Sequence, residues 1–415
     1  MISWRTKCIS GTVAGLLWAA GVAAAPWEFG EPVTVAAPKK GVFHHLEAAG
    51  RRSIAVSSGT VAITWEDNRD RVPRAYAAFR FPGLQGFTQL QLSGAHAAYE
   101  PAVTSLADGQ CLFGWEEGGA VWVRTGGPDG LGAPLRLSHS EASQITLAAG
   151  EAGVFAAWAE RTGDHTAIHL ARLNPDPAGV IPTTMADAVV TGPPEQDQLY
   201  PALVVLRSAI VVAWEDRRAG HTLLLYSRTR DGQKFSSPQI LNEQLPRRSQ
   251  IFGRGTGAAR VALTRLDAER AAAVWLDKRE FEGGYDVYAA LSDRGGAHFG
   301  RNEKVQDEFG NNIGQWHATI AGHPDGLLAV AWDDDRDGNP DIWLSWRTAN
   351  GWSGDLAVPG GAGSGPDTGP AITLDEDGNL FLVWVAQQSA SSPTQLRYLE
   401  AKRIMTDAAP APGLH

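Results

Sequence analysis

The stretch IVVAWEDRR at residues 210–218 contains the pattern that decides the fold, a short apolar strand followed by a polar turn. The five residues from Ile210 to Trp214 are apolar, which is typical of a buried strand. The charged residues after Trp214 interrupt the apolar run and indicate a turn. The same combination recurs along the chain, and internal repetition of this kind is the strongest guide to architecture.

The apolar strand that ends in tryptophan occurs seven times. The seven tryptophans are Trp65, Trp115, Trp158, Trp214, Trp275, Trp332 and Trp384. Their spacing runs from 43 residues, between Trp115 and Trp158, to 61 residues, between Trp214 and Trp275. This is the size of a four-stranded propeller blade with loops of variable length. The sequence therefore predicts an all-β protein, a seven-bladed β-propeller with four-stranded blades.

The two ends of the chain supply parts of one blade. The seventh repeat has no fourth strand after Tyr398, whereas FGEPVTV at residues 29–35 follows the fourth-strand pattern of the other repeats. We therefore expect the N-terminal strand to close the last blade, which removes an open sheet edge. The predicted organisation is a signal peptide at residues 1–25, one propeller domain at residues 26–404 and a disordered tail at residues 405–415.

The first 25 residues have the composition of a secretory signal peptide. Arg5 and Lys7 precede an apolar run that ends in small residues. We therefore expect an exported protein, periplasmic or extracellular, with no membrane span once the signal is removed. Removal also takes away Cys8, which leaves Cys111 without a disulfide partner. The fold must then rest on its apolar core.

The charge of the chain restricts its partners. The net charge is −10, and the first 25 residues hold two basic and no acidic side chains, so the remainder is near −12. Nucleic acids and anionic membranes need a basic surface. The composition therefore argues against both, and it favours a glycan, peptide or protein ligand.

The turns after the tryptophans carry a family resemblance. A Trp-x-Asp-x-Arg turn occurs at residues 65–69, 214–218, 275–279 and 332–336. Degenerate Asp boxes occur at residues 229–235, 292–299 and 348–352. In these features the chain resembles the sialidase-like (BNR/Asp-box repeat) β-propeller superfamily over nearly its whole mature length. The resemblance implies that the Asp boxes are structural turns between third and fourth strands.

The Trp-x-Asp-x-Arg turns are expected to be structural as well. Four similar copies at equivalent positions indicate a role in the fold, since a catalytic residue is needed once. We expect the aspartate to accept hydrogen bonds from loop amides, and the arginine to pair between blades.

The residues that lead into the inner strands are candidates for a site, because propeller loops gather over the central channel and function concentrates on loops held by a rigid scaffold. The candidates for a binding face are Arg51, Tyr99, Trp316 and His317. The sialidase resemblance implies a tyrosine nucleophile activated by a glutamate, and arginines that clamp a carboxylate. The residues that could serve these catalytic roles are Tyr200, Glu100, Arg52 and Arg260.

One turn has the spacing of a calcium loop. Asp333, Asp335, Asp337 and Asp341 alternate along it, and alternating carboxylates of this kind converge on a hard cation. The downstream glutamate of an EF-hand is missing. No cofactor is otherwise expected, so calcium is the one predicted ion.

These observations leave three functions open. The first is a binding module that presents its loop face to a glycan, peptide or protein partner. The second is a sialidase-like glycoside hydrolase of the exo-α-sialidase type. The third is a scaffold subunit of an envelope complex. Whether the chain is an enzyme is therefore left to the geometry of the candidate site.

Overall fold

The chain folds into seven antiparallel sheets arranged as the blades of a propeller. The computed structural model describes residues 24–46, 52–107, 109–175, 188–191, 194–219, 221–243, 257–279, 284–307 and 313–404. The inner strands of neighbouring blades contact one another in a closed circle. The predicted seven-bladed propeller is therefore confirmed. The signal peptide, apart from residues 24 and 25, and the tail lie outside the described residues and stay predictions.

Blades 1 to 4 follow one another along the chain. Blade 1 contains β3 (His44–His45), β4 (Ile54–Ser57), β5 (Thr60–Asp67), β6 (Arg74–Arg80) and β7 (Thr88–Gln91). Blade 2 contains β8 (Ala98–Ser105), β9 (Cys111–Glu117), β10 (Ala120–Gly127), β11 (Gly130–Leu131) and β12 (Leu135–Arg136). Blade 3 contains β13 (Ala142–Gly150), β14 (Gly153–Thr162), β15 (His165–Leu173) and β16 (Ala188–Val189). Blade 4 contains β17 (Gln198–Val205), β18 (Ile210–Asp216), β19 (Leu223–Thr229) and β20 (Gln239–Ile240).

Blades 5 to 7 complete the circle. Blade 5 contains β21 (Ala258–Arg265), β22 (Ala271–Asp277), β23 (Asp286–Leu291) and β24 (Glu303–Lys304), with a 3-10 turn at Arg294–Gly296. Blade 6 contains β25 (Trp316–Gly322), β26 (Leu328–Asp334), β27 (Asp341–Thr348), β28 (Gly351–Trp352) and β29 (Leu356–Ala357). Blade 7 contains β30 (Asp367–Leu374), β31 (Leu380–Ala386) and β32 (Gln395–Arg403).

No helix among the residues that the structure describes is long and apolar enough to cross a membrane.

The N-terminal strands close blade 7, as the sequence predicts. Strands β1 (Trp27–Phe29) and β2 (Val33–Ala36) both pair antiparallel with β32. Trp27 is only 3% exposed, and its indole N–H donates to the carbonyl oxygen of Gly378 at 2.9 Å. The Trp27 ring also meets Trp346 of blade 6 edge-on, with centroids 6.2 Å apart. Strand β1 is therefore packed into the core between blades 6 and 7.

The apolar core lies between the blades. The buried side chains form seven clusters, and each cluster joins residues of two neighbouring blades. Burial of this apolar surface between sheets is the main stabilising contribution to the fold. Cys111 is one of the buried residues and is free, and burial raises the pKa of its thiol to about 12.

Each of the seven repeat tryptophans is buried and donates its indole N–H to a carboxylate. The pairs in blades 1 to 6 are Trp65–Asp67, Trp115–Glu117, Trp158–Glu160, Trp214–Asp216, Trp275–Asp277 and Trp332–Asp334, at 2.6–3.4 Å. In blade 7 the residue two positions after Trp384 is Ala386, and Trp384 donates instead to Asp367 of the inner strand at 2.7 Å. A buried indole needs an acceptor, so the acid two residues after the tryptophan in blades 1 to 6, and Asp367 in blade 7, are part of the fold.

The arginine of each Trp-x-Asp-x-Arg turn pairs with the aspartate of its own turn. The expected pairing between blades occurs at Arg279, which also lies 3.7 Å from Glu243, just after the outer strand of blade 4. Arg336 donates from Nε to Asp334 at 2.8 Å and from Nη1 to Asp355 at 2.7 Å. Its guanidinium also lies 4.0 Å above the ring of Trp343 on β27. The turn brings the arginine back over the third strand of its own sheet. Asp334 accepts the Arg336 amide at 3.2 Å, as expected of the aspartate.

The residues of the Asp box at 229–235 form a turn between β19 and β20, where the resemblance places it. Asp231 Oδ1 accepts the amides of Lys234 and Gln233 at 2.9 Å each, and the hydroxyl of Thr229 at 3.0 Å. These hydrogen bonds, that of the Lys234 amide foremost, lower the pKa of Asp231 to about 2. The carboxylate therefore stabilises the turn.

Candidate functional site

The upper face is the end of the propeller at which the inner strands begin and the tryptophan strands end. In blades 2 to 7 the inner strand has a bulge close to its start. One residue at each bulge has a left-handed backbone, with φ between 48° and 61°, and we call this set the mouth ring: Glu100, Gln144, Tyr200, Arg260, His317 and Gly369. This conformation costs energy for a residue with a side chain. Five such residues at equivalent positions show that the bulge belongs to the architecture of the channel mouth.

The side chains that follow the tryptophans hold the mouth ring in place. Acidic side chains accept the amides of ring residues in the next blade, in the pairs Glu66–Glu100, Glu116–Gln144, Glu215–Arg260 and Asp333–Gly369. In blade 3 this position is Ala159, and Gln144 Oε1 accepts the Tyr200 amide at 2.6 Å instead. Two acids follow the tryptophan in blades 1, 2, 4 and 6, and they accept hydrogen bonds from different partners. The first acid fixes the next blade, and the second acid accepts the indole N–H.

Tyr200 and Arg260 are brought into direct contact. The guanidinium carbon of Arg260 lies 3.3 Å from the centroid of the Tyr200 ring, and its Nη1 lies 3.3 Å from Glu215 Oε1. Glu215 is 3% exposed, and burial raises the pKa of its carboxyl although Arg260 opposes the shift. The arginine is thus fixed between a phenol ring and a buried acid at the channel mouth.

The other residues assigned to sialidase-like chemistry lie elsewhere in the ring or channel. Glu100 is in blade 2 and Tyr200 in blade 4, with Gln144 of blade 3 between them in the ring. Arg52 points into the channel, where its Nη2 donates to the carbonyl oxygen of Leu263 at 3.2 Å. Arg51 lies outside the described residues.

The exposed aromatic side chains of the described chain gather on the upper face. Tyr99 and Trp316, both predicted, are 42% and 46% exposed, and Phe43, which was not predicted, is 58% exposed. Each stands at or beside the start of an inner strand. The Trp316 ring packs against Tyr285, with centroids 5.5 Å apart and rings nearly perpendicular. The ammonium group of Lys278 lies 4.3 Å from the centroid of the Tyr285 ring. The face therefore offers aromatic surface around a polar ring.

His317 is oriented by a buried acid. Its Nδ1 lies 2.6 Å from Asp333 Oδ1, and the side chains of His317 and Asp333 are 43% and 3% exposed. Asp333 also accepts the amide of Gly369 at 3.0 Å. A carboxylate at Nδ1 selects the tautomer with its proton there and directs Nε2 away from the acid. His317 is thus a fixed polar group of the upper face.

The aspartates predicted to bind calcium have separate surroundings. Asp333 contacts His317, whereas Asp341 Oδ1 accepts the Gly363 amide at 3.0 Å and a hydrogen bond from Asn339 at 3.2 Å. Asp335 and Asp337 are exposed. Among the residues that the structure describes, no group of three or more histidine, cysteine or acidic side chains is arranged to hold a metal ion. Calcium binding here stays a prediction that has no preformed ligand set.

Asp367, the partner of Trp384, predicts a pH dependence of stability. Burial raises the pKa of Asp367 to about 7, and the negative charge of Asp341 acts in the same direction. The folded protein therefore keeps this proton at a pH where the unfolded chain has lost it. The resulting stability is present below about pH 4 and is lost as the pH rises through about 7.

We expect Asp367→Asn to become more stable relative to the wild type as the pH rises from 5 to 8. The asparagine keeps an oxygen for the Trp384 indole but carries no charge, and the relative gain should reach about 1–3 kcal/mol at pH 8. Urea unfolding of both proteins at several pH values measures it. A difference that stays constant across this range would contradict the assignment.

The fold is similar to that of solved propellers. The α-L-arabinanase of Penicillium chrysogenum complexed with arabinobiose is 12% identical, with a TM-score of 0.50, and the alignment covers 89% of this chain and 98% of that one. A protein of unknown function from Dyadobacter fermentans DSM 18053 is 12% identical, with a TM-score of 0.55 and coverage of 92% and 100%. A puromycin-hydrolyzing peptidase of Mycobacterium tuberculosis is 13% identical, with a TM-score of 0.51 and coverage of 89% and 55%.

At these identities the likeness shows the fold alone. No protein family profile matches the sequence. No curated protein matches it in sequence either. The function must therefore be argued from the site.

Proposed function

We propose that this protein is a glycan-binding module that holds its ligand over the mouth ring. The observation that carries the proposal is the position of Phe43, Tyr99 and Trp316, since these exposed aromatic rings of the described residues lie on the face that contains the ring. The C–H face of a sugar packs against an aromatic ring, and its hydroxyl groups need convergent polar partners. The mouth ring supplies carboxylate, amide, phenol, guanidinium and imidazole groups.

The rigidity of the ring supports this proposal. Side chains of the preceding blade accept the backbone amides of Glu100 and Arg260 at 2.8 Å, and that of Tyr200 at 2.6 Å. Ordering a flexible surface on binding costs free energy and lowers affinity. A binding surface that is already rigid avoids this cost, which matters for a polar ligand such as a sugar because it buries little apolar area. The solved arabinanase propeller that holds arabinobiose provides a structural parallel.

The cellular setting belongs to the same proposal. A protein exported to the periplasm or the outside by the predicted signal peptide would meet cell-surface or environmental polysaccharides there. A peptide or protein partner would use the same loop face, because the exposed aromatic rings lie on it.

Binding of the mature protein to an oligosaccharide array that includes arabino-oligosaccharides and α-sialosides tests the proposal. We expect Trp316→Ala to weaken binding about 10-fold or more, which corresponds to about 1.4 kcal/mol or more from a lost aromatic contact. The matched control is Ile240→Ala, because Ile240 is equally exposed, at 49%, but lies on the outer strand of blade 4. An array without any bound glycan, or equal losses in both variants, would sink the proposal.

A sialidase-like glycoside hydrolase is the second candidate function, and the contact between Arg260 and Tyr200 favours it. A tyrosine nucleophile needs a base and a nearby cation. Arg260 supplies the cation, whereas the assigned base Glu100 lies two blades away from Tyr200 and Arg52 lies deeper in the channel. Hydrolysis of aryl glycosides, including an aryl sialoside, should then be lost in both Tyr200→Phe and Glu100→Gln. Turnover that survives both substitutions would remove this assignment, and complete inactivity of the wild type would leave the binding module.

A further inference from the structure

Arg52 crosses the central channel. It precedes β4 in blade 1, and its Nη2 donates to the carbonyl oxygen of Leu263, 3.2 Å away on the inner strand of blade 5. Blades 1 and 5 are not neighbours in the circle, since blades 7 and 6 separate them on one side and blades 2 to 4 on the other. The guanidinium therefore lies within the channel, below the level of the mouth ring.

The charge of this guanidinium has little compensation. A guanidinium has five N–H donors, and the Leu263 carbonyl is the only acceptor that the described residues provide for Arg52. Burial lowers the pKa of Arg52 to about 10, and the positive charge of Arg265 lowers it further. Because that pKa lies well above 7, the group is protonated at neutral pH. Arg52 is half-buried, and a cation that is partly removed from water is costly when it has no anionic partner, and none is found among the described residues.

Arg265 places a second cation on the same wall. It is the last residue of β21, two residues after Leu263, and it is exposed at the lower end of the channel. Other arginines of the interior have an acidic partner. Arg279 and Arg336, for example, each meet an aspartate at 2.6 Å in their own blade. Arg265 thus adds a positive charge near Arg52 at the lower end of the channel, where it also acts on the carboxylate of Glu151.

We infer that the central channel holds a small anion beside Arg52, in the space between blade 1 and blade 5. The ion is chloride or a small carboxylate, and it accepts hydrogen bonds from guanidinium donors that Leu263 does not use. Arg265 favours the same ion through its charge. The site lies within the channel and does not depend on glycan binding at the upper face.

Thermal unfolding at constant ionic strength tests the inference. Chloride or acetate replaces gluconate, a much larger anion, over the range 5–500 mM. An anion that binds only the folded state raises Tm, and at ten times its Kd the expected rise is about 2 °C. A rise with chloride identifies an inorganic ion, whereas a rise with acetate alone identifies a carboxylate.

Arg52→Met distinguishes an anion site from a purely structural contact between Arg52 and Leu263 across the channel. Methionine keeps much of the apolar stem and removes the charge, so we expect its Tm to be independent of chloride and acetate. In gluconate its Tm should equal or exceed that of the wild type, because the uncompensated charge is gone. If the role of Arg52 is purely structural, the substitution should instead lower Tm in every salt. Arg136→Met is the control, since Arg136 is exposed on an outer strand of blade 2, and it should keep the anion dependence.

Crystals grown in bromide provide a readout that does not depend on folding of a variant. We expect an anomalous peak within hydrogen-bonding distance of the Arg52 guanidinium. A channel without such a peak, together with a wild-type Tm that ignores chloride, bromide and acetate, would overturn the inference. Glycan binding would be unaffected by that result.

Discussion

Asp334→Ala is expected to lower the free energy of unfolding by about 3–5 kcal/mol, the range for breaking a buried ion pair from one side. Asp334 has no exposed surface, and its carboxylate accepts the Trp332 indole at 3.0 Å and the Arg336 guanidinium at 2.6 Å. Its removal leaves the buried indole N–H of Trp332 without an acceptor. It also leaves Asp355 as the remaining acidic partner of the nearly buried Arg336 guanidinium. Denaturant unfolding followed by tryptophan fluorescence measures the loss.

The neighbouring residue gives a matched control for this prediction. Asp335 belongs to the same turn but is exposed, so Asp335→Ala should change stability by no more than about 0.5 kcal/mol. Similar losses for the two variants would show that the turn tolerates neither change. The claim that the acid two residues after the tryptophan is a structural acceptor would then fail.

Trp27→Ala is expected to cost about 3–5 kcal/mol, as usual for truncating a buried tryptophan. This effect is large for a residue close to the expected start of the mature chain. Trp27 is buried between blades 6 and 7, and its indole N–H donates to Gly378. The substitution leaves a cavity at the seam where the propeller closes and loses that hydrogen bond.

Val33→Ala is the control for the closure. Val33 lies on β2 of the same N-terminal segment but is 43% exposed, so its truncation should cost below about 1 kcal/mol. A Trp27→Ala protein as stable as Val33→Ala would mean that blade 7 does not need its N-terminal strands. Thermal unfolding of the two variants beside the wild type decides between these outcomes.

The sequence was sufficient for the architecture because the repeat is strong. Each blade contributes one tryptophan at the end of an apolar strand, an acid follows it by two residues in blades 1 to 6, and the spacing matches one blade. The closing strand was also predictable, since residues 29–35 repeat the fourth-strand pattern. These features are local, and the packing of neighbouring blades follows from them.

The mouth ring could not be predicted from the sequence, because it depends on the register of the inner strands. Nothing in the residue types of Gln144 or Tyr200 marks a left-handed backbone, which is typical of glycine. The one local sign is Gly369 at the equivalent position in blade 7. The candidates Glu100, Tyr200, Arg260 and His317 were chosen because they lead into inner strands, and all four proved to occupy this ring.

The sequence does not predict that the turn arginines pair with the aspartates of their own turns, for a similar reason. A sequence motif shows that Arg336 follows Asp334 closely, but not the direction in which the turn folds back. The structure places the guanidinium over Trp343 of the same blade, and an aromatic face attracts a cation. The cross-channel position of Arg52 likewise depends on tertiary geometry, since Leu263 is 211 residues away in the chain.

The central claim is that the ligand of this propeller is a glycan held at the mouth ring. The most direct measurement is a crystal structure of the mature protein soaked with the oligosaccharide that binds best on the array. We predict a sugar ring stacked on Trp316 or Tyr99, with hydroxyl groups hydrogen-bonded to side chains of the mouth ring. An oligosaccharide bound to the lower face or to the outer strands would contradict the account.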